Sequence, residues 1–170
     1  MIKQTLVILL LSFTLHFSQE NSNDEVNSPS YNFILENLDG DLVELNEEIG
    51  AGPIILSFWA TWCKPCKEEL IEYNKIYNKY SDDGLKIFAI SVDNEKSISK
   101  VKPYIKTNRF DFTVLLDPNS EVARKYYAQM VPYSVVLNES GKIIYSHLGY
   151  KKGDEIEVEK IVKEVLTSKK

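Results

Sequence analysis

The sequence predicts a mixed α/β domain: one β-sheet flanked by helices on both faces, with an N-terminal β-hairpin. Three observations carry that reading. Two continuous apolar runs, "GPIILSFWA" (52–60) and "LKIFAISVD" (85–93), have the character of strands covered on both faces. Between them the apolar period becomes helical. Apolar residues alternate on either side of Asp39-Gly40, which is a hairpin signal. Helix and strand alternating, then a terminal strand pair and helix, give an α/β class rather than a bundle or a sandwich.

Taken in order, "YNFILENLDGDLVELNE" is the hairpin, and the run from Gly52 to Ala60 is the first core strand, entered through a Gly-Pro break. From Lys64 to Tyr80 a helix is expected, with Cys66, Leu70, Tyr73, Tyr77 and Tyr80 on one face. Residues 85–93 form the next buried strand. A helix follows from about Glu95 to Lys106, then the strand "FTVLLD" (112–117) and a short helix over about Ser120 to Tyr127. "YSVVLNESGKIIYSHLG" holds two strands joined by a Gly-containing turn, and residues 154–167 form a closing amphipathic helix.

The 170 residues suffice for a single domain with an ordinary core. Net charge is −5 and the Lys and Arg are scattered, so no basic stripe addresses nucleic acid. At the N-terminus, Lys3 is followed by about a dozen apolar residues from Leu6, short of the ~20 needed to span a bilayer. Residues 1–18 therefore read as a secretory signal peptide cleaved near Ser18, with a retained membrane tether as the alternative. Cleavage leaves 19 basic and 25 acidic residues, a net charge of −6. The polar stretch 19–30, "QENSNDEVNSPS", reads as a flexible tether, and the domain as 31–170.

The chain has only two cysteines, Cys63 and Cys66, inside "WATWCKPCKEEL". A disulfide across two intervening residues stabilises little, because the effect grows with loop length. A metal site needs more ligands, and the two histidines are His16, in the N-terminal segment, and His147, alone in a strand. A redox-active pair is the reading this favours over an inert staple or a metal site. Pro65 suits the first helical position. Cys63 then meets the unpaired N–H groups and positive end of the helix, which favour its thiolate. Lys64 and Lys67 add positive charge, or are merely solvated. In helical geometry the pair is close enough to bridge. Cys66 faces inward, which makes Cys63 the attacking thiol and Cys66 the resolving one. Glu69 shares the buried face of Cys66 and Tyr73, where desolvation raises a carboxyl pKa, whereas Glu68 points to solvent. Glu69 is the expected proton acceptor. Trp59 is read as core.

With "FWATWCKPCKEE" between a strand and a helix, the chain resembles thioredoxin-fold proteins. It is most similar to the exported thiol–disulfide oxidoreductases of the TlpA/ResA group, over residues 31–168. The "LDGDLVEL" hairpin, the extra strand and helix between "AISVD" and "LLDPN", and "MVPYSVVLNESGKI" also carry the resemblance. It implies a cis Val131–Pro132 bond beside the cysteines, with Val131 offering backbone groups to an extended client. Trp62 becomes a lid, and Trp62, Lys64, Pro65, Val131 and Pro132 become the client contacts. Two departures stand out. Ser57 occupies the place of the buried Asp of ordinary thioredoxins, and Tyr133 follows the proline where Thr is common, which is expected to narrow the groove. The peroxiredoxin cysteine pattern is missing, and peroxide reduction stays a minor alternative.

The implied function is reduction of protein disulfides in the periplasm or cell envelope, including those of apocytochrome c during cytochrome c maturation. No cofactor is implied beyond the Cys63–Cys66 disulfide. Electrons would come from a membrane thiol carrier, since the chain carries no flavin or nicotinamide motif. A disulfide-forming oxidase and a redox-inert binding or chaperone module are the alternatives.

Overall fold

The structure, a computed structural model, describes residues 27–168. The expected signal peptide, 1–18, and tether residues 19–26 lie outside the described residues. Among the described residues one seven-stranded sheet runs in the order β2-β1-β5-β4-β3-β6-β7. The strands are β1 (Ile34–Asn37), β2 (Leu42–Glu44), β3 (Ile54–Trp59), β4 (Lys86–Ser91), β5 (Thr113–Leu116), β6 (Tyr133–Leu137) and β7 (Ile143–Leu148). β3, β4 and β5 are mutually parallel; the other pairings are antiparallel. The helices are α1 (Leu45–Glu48), α2 (Lys64–Tyr80), α3 (Val101–Asn108), α4 (Glu121–Lys125) and α5 (Asp154–Ser168). This is a thioredoxin-like fold.

β3 is buried on both faces, as its unbroken apolar run requires. Ile55 and Trp59 pack with Leu70 and Tyr73 of α2, Val101 of α3 and Val158 of α5. Ile54, Leu56 and Phe58 pack on the other face with Leu45, Val122 and Tyr126. Period-two alternation thus divides the strand between two cores, one per face. Each fully buried Ile, Leu or Phe contributes about 2 kcal/mol by removal from water. The entry to β3 passes close to the chain entering β4. A Cβ on Gly52 would stand 2.6 Å from the Gly84 carbonyl oxygen, so only glycine fits there.

Two boundaries differ from expectation. The helix expected from Glu95 begins instead at Val101, after a 3-10 turn over Ile98–Lys100. Asn94 takes the intervening residues into a turn, with its side chain accepting from Lys96 N–H and its carbonyl from Ser97 and Ile98 N–H. Pro103 explains the shift, because a helix starting near residue 95 would leave it in the interior without a donor, whereas here it sits in the first turn. Residues 27–30, read as tether, are held against the β6–β7 turn. Asn27 N–H donates to Ile143 O at 2.7 Å and Ser30 N–H to Gly141 O at 2.9 Å.

Candidate active site

β3 ends at Trp59, and the chain turns over residues 60–63, closed by Cys63 N–H donating to Ala60 O at 3.1 Å. α2 starts at once, with Cys63 as its N-cap. Lys64 is the first helical residue and Pro65 the second, one place later than expected, where an N–H is still unneeded. Cys63 and Cys66 are joined in a disulfide with Cα atoms 5.3 Å apart. Cys66 N–H donates to Cys63 Sγ at 3.2 Å. Cys66 is wholly buried, Cys63 is 5% exposed, and Trp62 beside them is 67% exposed. Lys64 and Pro65 are exposed. Lys67 stands 5.1 Å from the centre of the Tyr104 ring, so it has a cation–π partner in addition to solvent.

From the strand next to β3, the chain entering β6 brings Val131 and Pro132 to the pair. The bond between them is cis. The Val131 carbonyl oxygen lies 3.7 Å from Cys63 Sγ. A groove of about 650 Å³ opens beside them, with Trp62, Arg124, Met130 and Val131 in its walls. Tyr133 does not narrow it. Successive strand residues face opposite ways, so Tyr133 leaves the cysteine side and packs against Phe58 and Tyr126 in the other core. There it lines a smaller cavity of about 230 Å³ with Tyr31 and Tyr127.

Glu69 lies one helical turn past Cys66 and is 1% exposed. Its Oε2 accepts from Ser57 Oγ at 2.8 Å and its Oε1 from Ser134 Oγ at 3.0 Å. The two serines are direct partners in the β3–β6 ladder, so the sheet presents a matched pair of hydroxyls to one carboxyl. Burial pushes the Glu69 pKa up to about 7, against the lowering effect of hydrogen bonds from Ser57, Ser134 and Tyr73. Burial, then the Glu69 charge, raises the Tyr73 phenol above its ordinary value. Glu68 is exposed, as expected.

Sequence reasoning missed Ser134 and Asp93. Asp93 is wholly buried, and its carboxylate accepts from Thr61 N–H at 2.7 Å and from Thr61 Oγ1 at 2.6 Å. The available signal was a polar residue within or just beyond an apolar strand, Ser134 in "YSVVL" and Asp93 in "AISVD". His147 stacks on Tyr145 and meets Asp154 Oδ2 at 3.2 Å. Among the described residues no group of three or more His, Cys, Asp or Glu could hold a metal.

The AhpC/TSA family model matches residues 26–146. The chain belongs to the AhpC/TSA family. Among curated relatives, the thiol-disulfide oxidoreductase ResA of Bacillus cereus is 33% identical over 161 residues, covering 91% of either chain. The sporulation thiol-disulfide oxidoreductase A of Bacillus subtilis is 30% identical over 118 residues, 69% of this chain and 70% of its own. Among solved structures, a putative thiol:disulfide interchange protein DsbE from Chlorobium tepidum has a TM-score of 0.77 at 26% identity, covering 83% of this chain and 97% of that one. StoA from Bacillus subtilis has a TM-score of 0.64 at 27% identity, covering 79% and 98%. This AhpC/TSA protein is a thiol–disulfide oxidoreductase of the ResA, StoA and DsbE type, and its redox group is the Cys63–Cys66 pair.

Proposed function

We propose that the chain is an exported reductase of protein disulfides in the periplasm or cell envelope, in which Cys63 attacks and Cys66 resolves. The asymmetry of the pair carries this reading. Cys63 caps α2 between Trp62 and Val131, both walls of the groove, whereas Cys66 is wholly buried one turn from Glu69. In the reduced protein the free N–H groups at the start of α2 favour the Cys63 thiolate.

That thiolate attacks one sulfur of a client disulfide. A Cys63–client disulfide forms, the client's own S–S bond breaks, and its second sulfur leaves as a thiolate. The Cys66 thiol passes its proton to Glu69 and attacks Cys63 Sγ, releasing the first client sulfur and closing Cys63–Cys66. Two electrons have moved to the client. A membrane thiol carrier then returns the pair to the dithiol. Val131 takes the client backbone in strand-addition mode, with Trp62, Lys64, Pro65 and Pro132 bordering it.

The TlpA/ResA resemblance supports clients with C-x-x-C-H cysteines, such as apocytochrome c. Export rests on the character of residues 1–18; among the described residues no helix is long and apolar enough to cross a membrane. Equilibration with glutathione tests the direction. A reductase lies near the thioredoxin end of the scale, about −270 mV, whereas a value near about −120 mV would make the protein an oxidase. Failure to exchange with insulin would make it a redox-inert module.

A further inference from the structure

The four-residue turn that hands β3 on to the cysteines has one backbone hydrogen bond of its own, Cys63 N–H to Ala60 O. The β3–β4 ladder stops just before it, with Trp59 opposite Ser91 and Val92 N–H donating to Trp59 O. Thr61 N–H is therefore past the sheet and needs another acceptor. Asp93, two residues beyond β4, supplies it. Its Oδ2 takes Thr61 N–H at 2.7 Å and its Oδ1 takes the Thr61 hydroxyl at 2.6 Å, a two-point grip on the middle of the turn.

Asp93 is itself fixed. Ser91 Oγ donates to Asp93 Oδ2 at 3.0 Å and accepts Asp93 N–H at 3.2 Å. The Ser91 carbonyl accepts Asp117 N–H at 2.8 Å. Asp117 in turn accepts from Glu121 and Ala123 N–H at the start of α4, which bears the Arg124 wall of the groove. Ser91, Asp93 and Asp117 are all buried. One polar cluster at the strand ends thus ties the cysteine turn to the opposite wall.

We propose that Asp93 is a positioning residue for the redox step, holding Thr61, and through it Trp62 and Cys63, in attack geometry against the groove. A buried core carboxylate could serve packing alone. Here both its oxygens are spent on the residue two places before the nucleophile and on the strand beside it. Misplacing a reacting atom by about 1 Å costs up to about a hundredfold in rate. Loss of the grip is expected to cost about tenfold.

The inference rests on Cys63 being the attacking thiol, and the test separates the two. In a Cys66→Ser background, the rate at which Cys63 reacts with a small aromatic disulfide is compared for Asp93→Ala, Asp93→Asn and Thr61→Val, on protein shown folded by circular dichroism. Asp93→Ala should slow the reaction about tenfold. Asp93→Asn, which can still accept Thr61 N–H and pair with its hydroxyl, should recover most of the rate, and Thr61→Val should lie between. Should Asp93→Ala not fold, Thr61→Val and Asp93→Asn carry the comparison. Folded Asp93→Ala or Thr61→Val protein reacting at the unsubstituted rate would overturn the positioning role and leave the function intact. If Cys63 in Cys66→Ser reacts no faster than Cys66 in Cys63→Ser, the attacking-thiol reading fails, and this inference with it.

Discussion

Burial of the single Glu69 carboxyl costs the fold stability near neutral pH. Its folded pKa of about 7 stands above the ordinary 4.5, so between those pH values the folded protein keeps a proton that the unfolded chain has released. Stability therefore falls as pH rises from about 4.5 to about 7, by roughly 3 kcal/mol in all. Glu69→Gln should flatten that slope in urea unfolding between pH 4.5 and 7.5, and should slow resolution of a mixed disulfide by tenfold or more. Parallel slopes for the variant and the unsubstituted protein would remove the raised carboxyl from the account. The placement of Glu69 on the buried stripe was legible, because helical spacing from Cys66 fixes it. Its two serine partners were not. Ser57 and Ser134 lie 77 positions apart in sequence and meet only through the β3–β6 register, which single-strand patterns do not encode.

At the scale of elements, α4 depends on one residue outside it. Asp117 is 2% exposed and accepts both Glu121 and Ala123 N–H at 2.8 Å, satisfying donors that a helix start leaves open. Asp117→Ala should lower stability by about 2 kcal/mol, read from the midpoint of urea unfolding, and loosen the groove wall that α4 carries. An unchanged midpoint would show that water or another side chain replaces the cap. The bounds of α2, Lys64–Tyr80, were legible from the cysteines and a long apolar stripe, although Pro65 takes the second helical position rather than the first. The start of α3 was not, since the apolar period there is weak and the boundary is set by Pro103 and the Asn94 turn. The side of the sheet that Tyr133 takes was also missed. Once Ser134 is known to meet Glu69, strand alternation sends Tyr133 to the other core.

At the scale of the molecule, the class of fold followed from the order of buried runs and helical periods. The sheet order could not, because β5 pairs with both β4 and β1, contacts that no local pattern announces. That order places the ends of β3 and β4 and the start of β6 at one edge, and so sets Val131 beside Cys63 across 68 residues. The central claim proposed for this arrangement is that Cys63, between the groove walls Trp62 and Val131, attacks and that the wholly buried Cys66 resolves. It is tested most directly by trapping. A disulfide-bonded peptide bearing C-x-x-C-H is mixed with reduced Cys66→Ser or Cys63→Ser protein, and covalent adducts are counted by mass spectrometry. Cys66→Ser should accumulate a one-to-one mixed disulfide through Cys63, and Cys63→Ser should form little or none. Equal trapping by the two variants, or trapping by Cys63→Ser alone, would contradict the account.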